Sequence, residues 1–294
     1  MMNNTPSPFD ASTPAQTAQK VEDAAVVKIG RDTQSTLLLA MTAGVFIGLA
    51  FIFYVVATAG GSALPYGLNK LIGGLCFSLG LMLVVVLGGE LFTSTVLTIT
   101  ARASKRVTTK ALLRNWGLVY LGNFIGAMIL VGLMIAAKHY DAGHGLIGLG
   151  YMKTAQAKLH HDFIQAIALG IMCNIMVCLA VWMAYAGRSV TDKLLAVVLP
   201  VAMFVAAGFE HCIANMFLIP MAIISKNLAS TEFWTNAGVS PEQFADLTWS
   251  QFVFHNLVPV TLGNIVGGAL FVGLTYWFVY RRPLLAKQGS ETSK

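Results

Sequence analysis

Two short stretches, GGELFTST at residues 88–95 and GFEHCIAN at residues 208–215, carry the most information about the fold of this chain. Each places Gly-x-Glu in the middle of an apolar run that is otherwise long enough to cross a bilayer. A carboxylate at that depth is costly unless it has a partner or a use. Two such interruptions at matched positions predict a pair of broken helices around a central permeation site.

The composition indicates an integral membrane protein. Of 294 residues, 56% are hydrophobic and 11% are charged, and the mean hydropathy is +0.70, whereas a soluble domain is about a quarter charged. Residues 1–36 are polar and lack the apolar core of a signal peptide, which predicts a retained N-terminal tail. Residues 37–280 are predicted to form the channel domain, and 281–294 a C-terminal tail. The net charge of +6 is explained by loop lysines and arginines, so no nucleic-acid partner is expected.

Six apolar segments are long enough to span a membrane, which takes about 20 residues per helix. The second and fifth segments are too long for one straight helix, so each is predicted to form two half-helices around a break. If both termini are cytoplasmic, 14 lysines and arginines lie inside and 5 outside, as the positive-inside rule requires. The predicted spans are about 37–59, 71–101, 115–137, 163–186, 194–225 and 255–280.

The third and sixth predicted spans are related to each other in sequence. Residues 115–133 read NWGLVYLGNFIGAMILVGL and residues 256–274 read NLVPVTLGNIVGGALFVGL, so nine of nineteen positions are identical. Together with the two Gly-x-Glu interruptions, this similarity predicts two related halves of three spans each. Because three is odd, the halves have opposite orientations, and a pathway is expected at their interface near the membrane midplane.

The residues after each interruption suit the passage of an anion, because a helix that restarts there presents N–H groups and a partial positive charge. Thr93 is expected to cap the first restarted helix, with a hydroxyl contact to a permeant as the alternative. His211, the only histidine deep inside a span, is a candidate donor of a proton or a hydrogen bond, the alternative being a core histidine bonded to a neighbour. Glu210 is its candidate charge partner. Glu90 and Glu210 are otherwise both expected to satisfy backbone N–H groups at their own breaks.

Bulky apolar side chains flank the two interruptions, and some of them are predicted to form narrow constrictions that block water and hydrated ions. The candidates are Phe77, Leu81, Leu91, Phe92 and Phe204. The four cysteines all lie in apolar segments without a C-x-x-C pair, which favours buried free thiols and predicts no metal or cofactor site.

The chain resembles the formate/nitrite transporter family, and within it the bacterial formate-channel branch. The likeness extends from about residue 8 to residue 282. It is carried by specific strings: LFTST at 91–95, MVCLAVWM at 176–183, FEHCIANMF at 209–217 and LGN at 262–264.

The resemblance implies an aquaporin-like fold of six spans in two inverted three-span repeats. It also implies a homopentamer with one pore per protomer, and passage of formate or formic acid across the bacterial inner membrane. His211 is then the central histidine and Thr93 its hydroxyl partner. The N-terminal segment resembles the family's gating and docking region, so pyruvate formate-lyase is an expected partner beside membrane lipids. The implied anion-guiding residues are Lys158, Asn174, Asn215 and Asn264, and the implied constriction residues are Phe77, Leu81, Leu91, Phe92, Val177 and Phe204.

Several alternatives remain open from the sequence. Nitrite and hydrosulfide share charge and size with formate, so the permeant rests on overall likeness. A neutral-solute aquaporin would carry Asn-Pro-Ala at both half-helix starts, whereas Asn215 is followed by Met216. A haem protein needs two facing histidines at depth, and only His211 qualifies. A coupled transporter would share the inverted repeat. We expect no enzymatic activity, and we hypothesise that protonation of His211 selects between anion flow and proton-coupled passage.

Overall fold

The chain folds into helices joined by short turns. The computed structural model describes residues 10–291, so the ends of the two predicted tails, 1–9 and 292–294, lie outside the described residues. Within 10–291 no β-strand occurs, as the predicted all-α class requires. The helices are α1 Pro14–Gly30, α2 Thr33–Thr58, α3 Tyr66–Leu87, α4 Phe92–Thr95, α5 Ile99–Ala103, α6 Thr109–Ala136, α7 Leu146–Leu159, α8 Phe163–Ala186, α9 Val190–Ala206, α10 Cys212–Leu228, α11 Thr231–Ala237 and α12 Gln251–Ala286.

The helices form six membrane spans. In the described part of the chain, α2, α3, α6, α8 and α12 are each long and apolar enough to cross a membrane. Helices α9 and α10 have 17 residues each, so neither alone crosses a hydrocarbon core of about 30 Å. Together they form the fifth span, and α11 bends away from α10 by 114°. Helix α3 continues after its own break as α4 and α5. The predicted fold of six spans with a broken second and fifth span is confirmed.

Each half also begins with a helix that precedes the three spans and that the sequence did not predict. Helix α1 precedes Asp32 and α7 precedes Asp162, and each aspartate caps the next span by accepting a backbone N–H three residues on, at 2.9 Å and 2.8 Å. With these two aspartates aligned, the buried positions of α1 between 17 and 29 coincide with buried positions of α7 between 147 and 159. The repeat unit is therefore a surface helix followed by three spans.

Glycines let paired spans touch backbone to backbone. A Cβ atom on Gly126 of α6 would lie 2.0 Å from the carbonyl oxygen of Met41 on α2. At the equivalent place in the other half, a Cβ on Gly267 of α12 would lie 2.3 Å from the carbonyl oxygen of Ile171 on α8. No side chain fits in either gap, so these glycines set the spacing of the spans that hold the breaks.

Helix α1 is held by charge against the face of the bundle that carries Ser104, Arg106 and Arg281, which we call the terminal face. The fully buried carboxylate of Glu22 accepts hydrogen bonds from Arg281 Nε at 2.9 Å, Ser104 Oγ at 2.6 Å and Arg106 Nη1 at 3.0 Å. Burial alone would raise the pKa of Glu22, but these three donors outweigh burial and hold the pKa below its usual value. The other side of the bundle is the opposite face.

Candidate functional site

Both breaks begin with a glycine in the left-handed backbone conformation. Gly88 after α3 has φ of 79° and Gly208 after α9 has φ of 75°, a region that glycine enters without steric cost. The chain then runs extended, and its next free N–H groups bond to neighbouring spans. Glu90 N donates to Leu39 O at 3.1 Å, and Glu210 N donates to Leu169 O at 3.3 Å.

One asparagine from a neighbouring span holds each break. Asn123 of α6 accepts the N–H of Phe92 at 2.8 Å and donates to the carbonyls of Ala40 and Glu90 at 2.7 Å and 2.8 Å. These bonds satisfy the exposed backbone of the first break with buried side-chain atoms. The expectation that Glu90 satisfies the backbone of this break is therefore wrong.

Asn264 of α12 repeats this pattern at the second break. It accepts the N–H of Cys212 at 2.9 Å and donates to the carbonyls of Gly170 and Glu210 at 2.8 Å and 2.9 Å. Asn174 in turn donates to the carbonyl of Asn264 at 2.6 Å. Both the oxygen and the nitrogen of the Asn264 side-chain amide are thus engaged with backbone, so the expectation that Glu210 satisfies the backbone of its break is wrong.

The carboxylate of Glu90 turns toward the terminal face and binds cations from the end of α1. Lys28 Nζ lies 3.0 Å from Glu90 Oε2, and Arg31 Nη1 contacts Glu90 Oε1. Thr95 adds a weaker bond to Oε2 at 3.4 Å. Because Glu90 is buried, pairing with these cations is what makes its charge tolerable at this depth.

The carboxylate of Glu210 turns toward the opposite face and binds the end of α7. Lys158 Nζ lies 2.7 Å from Oε1, and His161 Nε2 lies 3.5 Å from the same oxygen. Asn215 and Asn256 donate to Oε2 at 2.7 Å and 3.1 Å, and Asn215 also donates to Asn256 Oδ1 at 2.7 Å. Two sequence-predicted residues, Lys158 and Asn215, therefore meet on Glu210. The prediction that Glu210 pairs with His211 is wrong, because adjacent side chains point to different sides of the break.

His211 and Thr93 meet in the centre of the molecule, where the two breaks face each other. His211 Nε2 lies 3.0 Å from Thr93 Oγ1, and both residues are buried. His211 Nδ1 accepts the N–H of Ala214 at 3.1 Å, which makes His211 the cap of α10. A neutral imidazole with an acceptor at Nδ1 carries its proton at Nε2, so His211 donates to Thr93.

The capping role expected for Thr93 is wrong. Helix α4 has no side-chain cap, and the Thr93 hydroxyl instead accepts from His211. Since the Thr93 oxygen accepts this bond, its own O–H proton remains to be donated elsewhere. The Thr93 carbonyl is held separately by the Cys178 thiol, which donates to it at 3.3 Å.

The six predicted constriction residues are all buried, and their aromatic members make two separate sets of ring contacts. Phe77 and Phe204 pack edge to face with ring centroids 6.1 Å apart, and Phe204 stacks on His211 at 6.0 Å. Phe92 instead packs edge-on against Tyr120 at 4.8 Å and Trp116 at 6.3 Å, on the side of α6. Leu81, Leu91 and Val177 belong to the buried apolar cluster that also contains these three phenylalanines.

A cavity opens from each face toward the central pair. The opposite vestibule, of about 350 Å³, is lined by residues that include Lys70, Phe77, Lys158, His161, Glu210 and His211. The terminal vestibule, of about 430 Å³, is lined by residues that include Lys28, Arg31, Val84, Glu90, Ser94 and Lys193. Among the described residues the two cavities share no lining residue, so buried apolar side chains and the His211–Thr93 pair separate them.

Sequence reasoning missed four residues that belong to this arrangement: Lys28, Arg31, His161 and Asn256. A signal for the first three was present, because KIGRD at 28–32 and KLHHD at 158–162 align at the start of the two repeats. Asn256 aligns with Asn115 in the nineteen-residue repeat, and each donates to the carbonyl of a vestibule lysine. The distances are 3.3 Å to Lys158 O and 3.4 Å to Lys28 O.

Comparison with known proteins decides the family. The model of the formate/nitrite transporter family matches residues 15–278. The chain belongs to the formate/nitrite transporter family. It is 54% identical to the formate channel FocA of Escherichia coli K12 over 276 residues, covering 94% of this chain and 97% of that protein. It is 47% identical to FocA of Haemophilus influenzae over 264 residues, covering 90% and 93%.

A solved structure shares the fold of this family member. A pentameric formate channel with formate bound matches with a TM-score of 0.81 and 55% identity, covering 84% of this chain and 97% of that one. The likeness spans nearly the whole of that channel, so the six-span arrangement described above is that of the family.

Proposed function

We propose that the protein is a homopentameric channel, and not an enzyme, that passes formate across the bacterial inner membrane. One observation carries the proposal: a buried His211–Thr93 pair lies where two helix breaks meet, between two cationic vestibules. The names of the relatives support formate as the permeant, and the pentameric solved relative supports the assembly.

The first step is recruitment of the anion into a vestibule. Each vestibule carries a lysine held by a buried glutamate, Lys158 on Glu210 and Lys28 on Glu90. A positive potential over a low-dielectric cavity raises the local concentration of a small anion. Asn215 contributes by orienting Glu210, since it donates to that carboxylate rather than facing a permeant.

The second step is passage through the apolar centre, where an anion loses its hydration at a cost of several kcal/mol. The half-helix ends offer the anion fewer free N–H groups than the sequence suggested. The N–H groups of Phe92 and Cys212 are taken by Asn123 and Asn264, and that of Ala214 by His211. The hydroxyl proton of Thr93 is therefore the central donor to formate, and His211 holds that hydroxyl in orientation by donating to its oxygen.

A proton role for His211 has a structural condition. In the neutral ring Nε2 already carries a proton, so an incoming proton must bind Nδ1 and displace the bond from Ala214 N. Protonation of His211 thus couples to loosening of the cap of α10. Anion flow dominates while the cap is intact, and proton-coupled passage requires its release.

The distribution of charge supports an orientation of the chain in the membrane and a role for the N-terminal tail. The excess of lysine and arginine near the terminal face supports a cytoplasmic location for both termini. Residues 1–36 then form a cytoplasmic gating and docking segment whose α1 helix binds the first break through Lys28 and Arg31, with pyruvate formate-lyase as a partner. Residues 37–280 form the channel and 281–294 the C-terminal tail. Membrane lipids contact the outward-facing apolar side chains.

The test is flux into liposomes that contain the purified protein, with formate, nitrite, hydrosulfide and glycerol compared at pH 7 and pH 5. Formate should pass fastest, and at saturating formate His211→Phe should lose the pH response of formate flux. If nitrite or hydrosulfide passed faster than formate, that anion would be the permeant in place of formate, and the family would stay the same. Glycerol passage without anion flux would reject the anion mechanism, and an unchanged pH response at saturating formate in His211→Phe would reject the role of His211.

A further inference from the structure

The two vestibules differ in how their charge depends on pH. The terminal vestibule holds the cations Lys28, Arg31 and Lys193 and the carboxylate of Glu90, a formal charge of 3 − 1 = +2. No histidine is among its lining residues. Lysine and arginine side chains ordinarily stay charged between pH 5 and pH 8, so the terminal vestibule is a permanent cationic funnel.

The opposite vestibule holds a histidine where the terminal vestibule holds an arginine. Its lining residues include Lys70, Lys158 and the carboxylate of Glu210, a formal charge of 2 − 1 = +1. His161 precedes the cap Asp162 as Arg31 precedes the cap Asp32, and each contacts the buried glutamate of its own half. The exposed fractions of the two side chains are also similar, 22% for His161 and 28% for Arg31.

We propose that His161 sets the strength of anion recruitment in the opposite vestibule according to the pH on that side of the membrane. Neutral His161 leaves the vestibule at +1, and protonated His161 brings it to +2, equal to the terminal vestibule. Histidine is the side chain that ordinarily changes charge between pH 5 and pH 8. The inference rests on the proposed anion-channel function and adds a second pH-dependent step that is separate from His211.

The groups that line the vestibule with His161 come from several elements. Lys70 comes from α3, Lys158 from α7, and Glu210 and His211 from the second break, while Tyr54 comes from α2. Glu210 Oε1 is shared between Lys158 and His161. A proton on His161 therefore adds a cation beside a carboxylate that already has a cation, so the added charge is left to act on the anion.

His160 provides a matched control within one residue. Its Nε2 lies 2.6 Å from Asp246 Oδ2, its side chain is 63% exposed, and it does not line the vestibule. Substitution of His160 therefore removes a second histidine from the same loop without changing the residues that line the anion path.

The experiment measures initial formate flux in oriented proteoliposomes, with pH varied from 7.5 to 5.5 only on the side of the opposite vestibule. Formate stays almost wholly ionised in this range, and both limiting and saturating formate are used. For the wild type we expect the half-saturating concentration to fall about threefold to tenfold on acidification, with little change in maximal rate. High salt should reduce the effect.

The variants are His161→Arg, His161→Gln and His160→Gln. We expect a low half-saturating concentration at both pH values for His161→Arg, a high one at both for His161→Gln, and wild-type behaviour for His160→Gln. A wild-type pH response in His161→Gln would overturn the proposal, as would a maximal rate lowered equally at both pH values, which indicates a positioning role. If His161→Gln does not fold, an unchanged half-saturating concentration at pH 7.5 in His161→Arg would overturn it. No formate flux in the wild type would reject the proposed function itself.

Discussion

The first break and the second break have nearly the same backbone and different side chains. In each, a glycine with positive φ ends one half-helix, an asparagine from the third span of the half binds the extended backbone, and a buried glutamate binds a lysine from the surface helix. The five residues that follow each Gly-x-Glu differ between the halves, LFTST at 91–95 against HCIAN at 211–215. Leu91 stands where the second half has His211, and Thr93 stands where the second half has Ile213.

This difference separates what the fold needs from what the pathway needs. The residues that the halves share hold backbone and neutralise charge, which any break at membrane depth requires. Two of the residues that the halves do not share, His211 and Thr93, meet in one hydrogen bond across the interface. The inverted repeat therefore builds two equivalent supports, and exchange of one side chain on each side makes a single polar site between them.

The largest effect is expected from removing either supporting asparagine. Asn123→Ala and Asn264→Ala each delete three hydrogen bonds to buried backbone groups, at about 1–3 kcal/mol for each group left unpaired. We expect both to lower the thermal midpoint in detergent by about 10 °C or more, and by similar amounts. Thermal unfolding followed by size exclusion measures this, with the exposed Asn227→Ala as the control. A loss in one variant only would show that the two supports are not equivalent.

A smaller effect is expected from the second pair of related asparagines, which the structure makes unequal. Asn256 bonds Asn215, Glu210 and the Lys158 carbonyl, whereas Asn115 donates to Lys28 O alone at 3.4 Å. Asn256→Ala should cost about 2 kcal/mol of unfolding free energy and Asn115→Ala less than about 1 kcal/mol. Asn256→Ala should also raise the half-saturating formate concentration, because Lys158 loses part of its support. Equal costs would contradict the bonding pattern.

The sequence was a good guide where a polar residue stands out against its surroundings. Glu90, Thr93, Glu210 and His211 interrupt apolar segments, so their position alone made them candidates. Lys28 and Arg31 lie in a polar tail, where a charged residue carries no signal of its own. The alignment of KIGRD at 28–32 with KLHHD at 158–162 is their only sequence signal, and the matching register of α1 and α7 in the structure shows what that alignment means.

The errors at the breaks have the same physical origin. A carboxylate, a hydroxyl and an amide can each satisfy a free N–H group, so composition alone does not say which one does. The distance along the chain also misleads, because the groups that bind each break come from spans 31 to 54 residues away. The packing of α6 and α12 against the breaks decides it: Asn123 and Asn264 bind the backbone groups, and Thr93 is free to bond to His211.

The central pair can be tested by a change that keeps shape. Thr93→Val removes the hydroxyl while it keeps the side-chain volume, and we expect formate flux to fall about tenfold, or about 1.4 kcal/mol. Thr93→Ser should restore most of the flux, since it returns the hydroxyl. The matched control in the other half is Ile213→Val, which should change flux by less than about twofold. Wild-type flux in Thr93→Val would contradict the role of its O–H as the central donor.

The two surface helices give the last and smallest comparison. Glu22 on α1 aligns with Met152 on α7, and both are fully buried. Burial raises the pKa of Glu22, but the hydrogen bonds from Arg281, Ser104 and Arg106 lower it by more, so the pKa lies below its ordinary value. Because its pKa is lowered, ionised Glu22 stabilises the docked helix at pH values above the ordinary glutamate pKa of about 4.3. This stability is lost as the pH falls through the lower pKa of the folded state.

Amide hydrogen exchange as a function of pH tests this comparison. After correction for the intrinsic rate, exchange in α1 should be constant from pH 7 to pH 5 and should rise at more acid pH, while exchange in α7 should not respond. Glu22→Gln should raise α1 exchange on the order of fivefold at neutral pH and remove the acid response. Met152→Leu, which conserves volume, is the control for α7. An acid response of equal size in α7 would mean that acid loosens the whole bundle, and that Glu22 does not make the docking of α1 depend on pH.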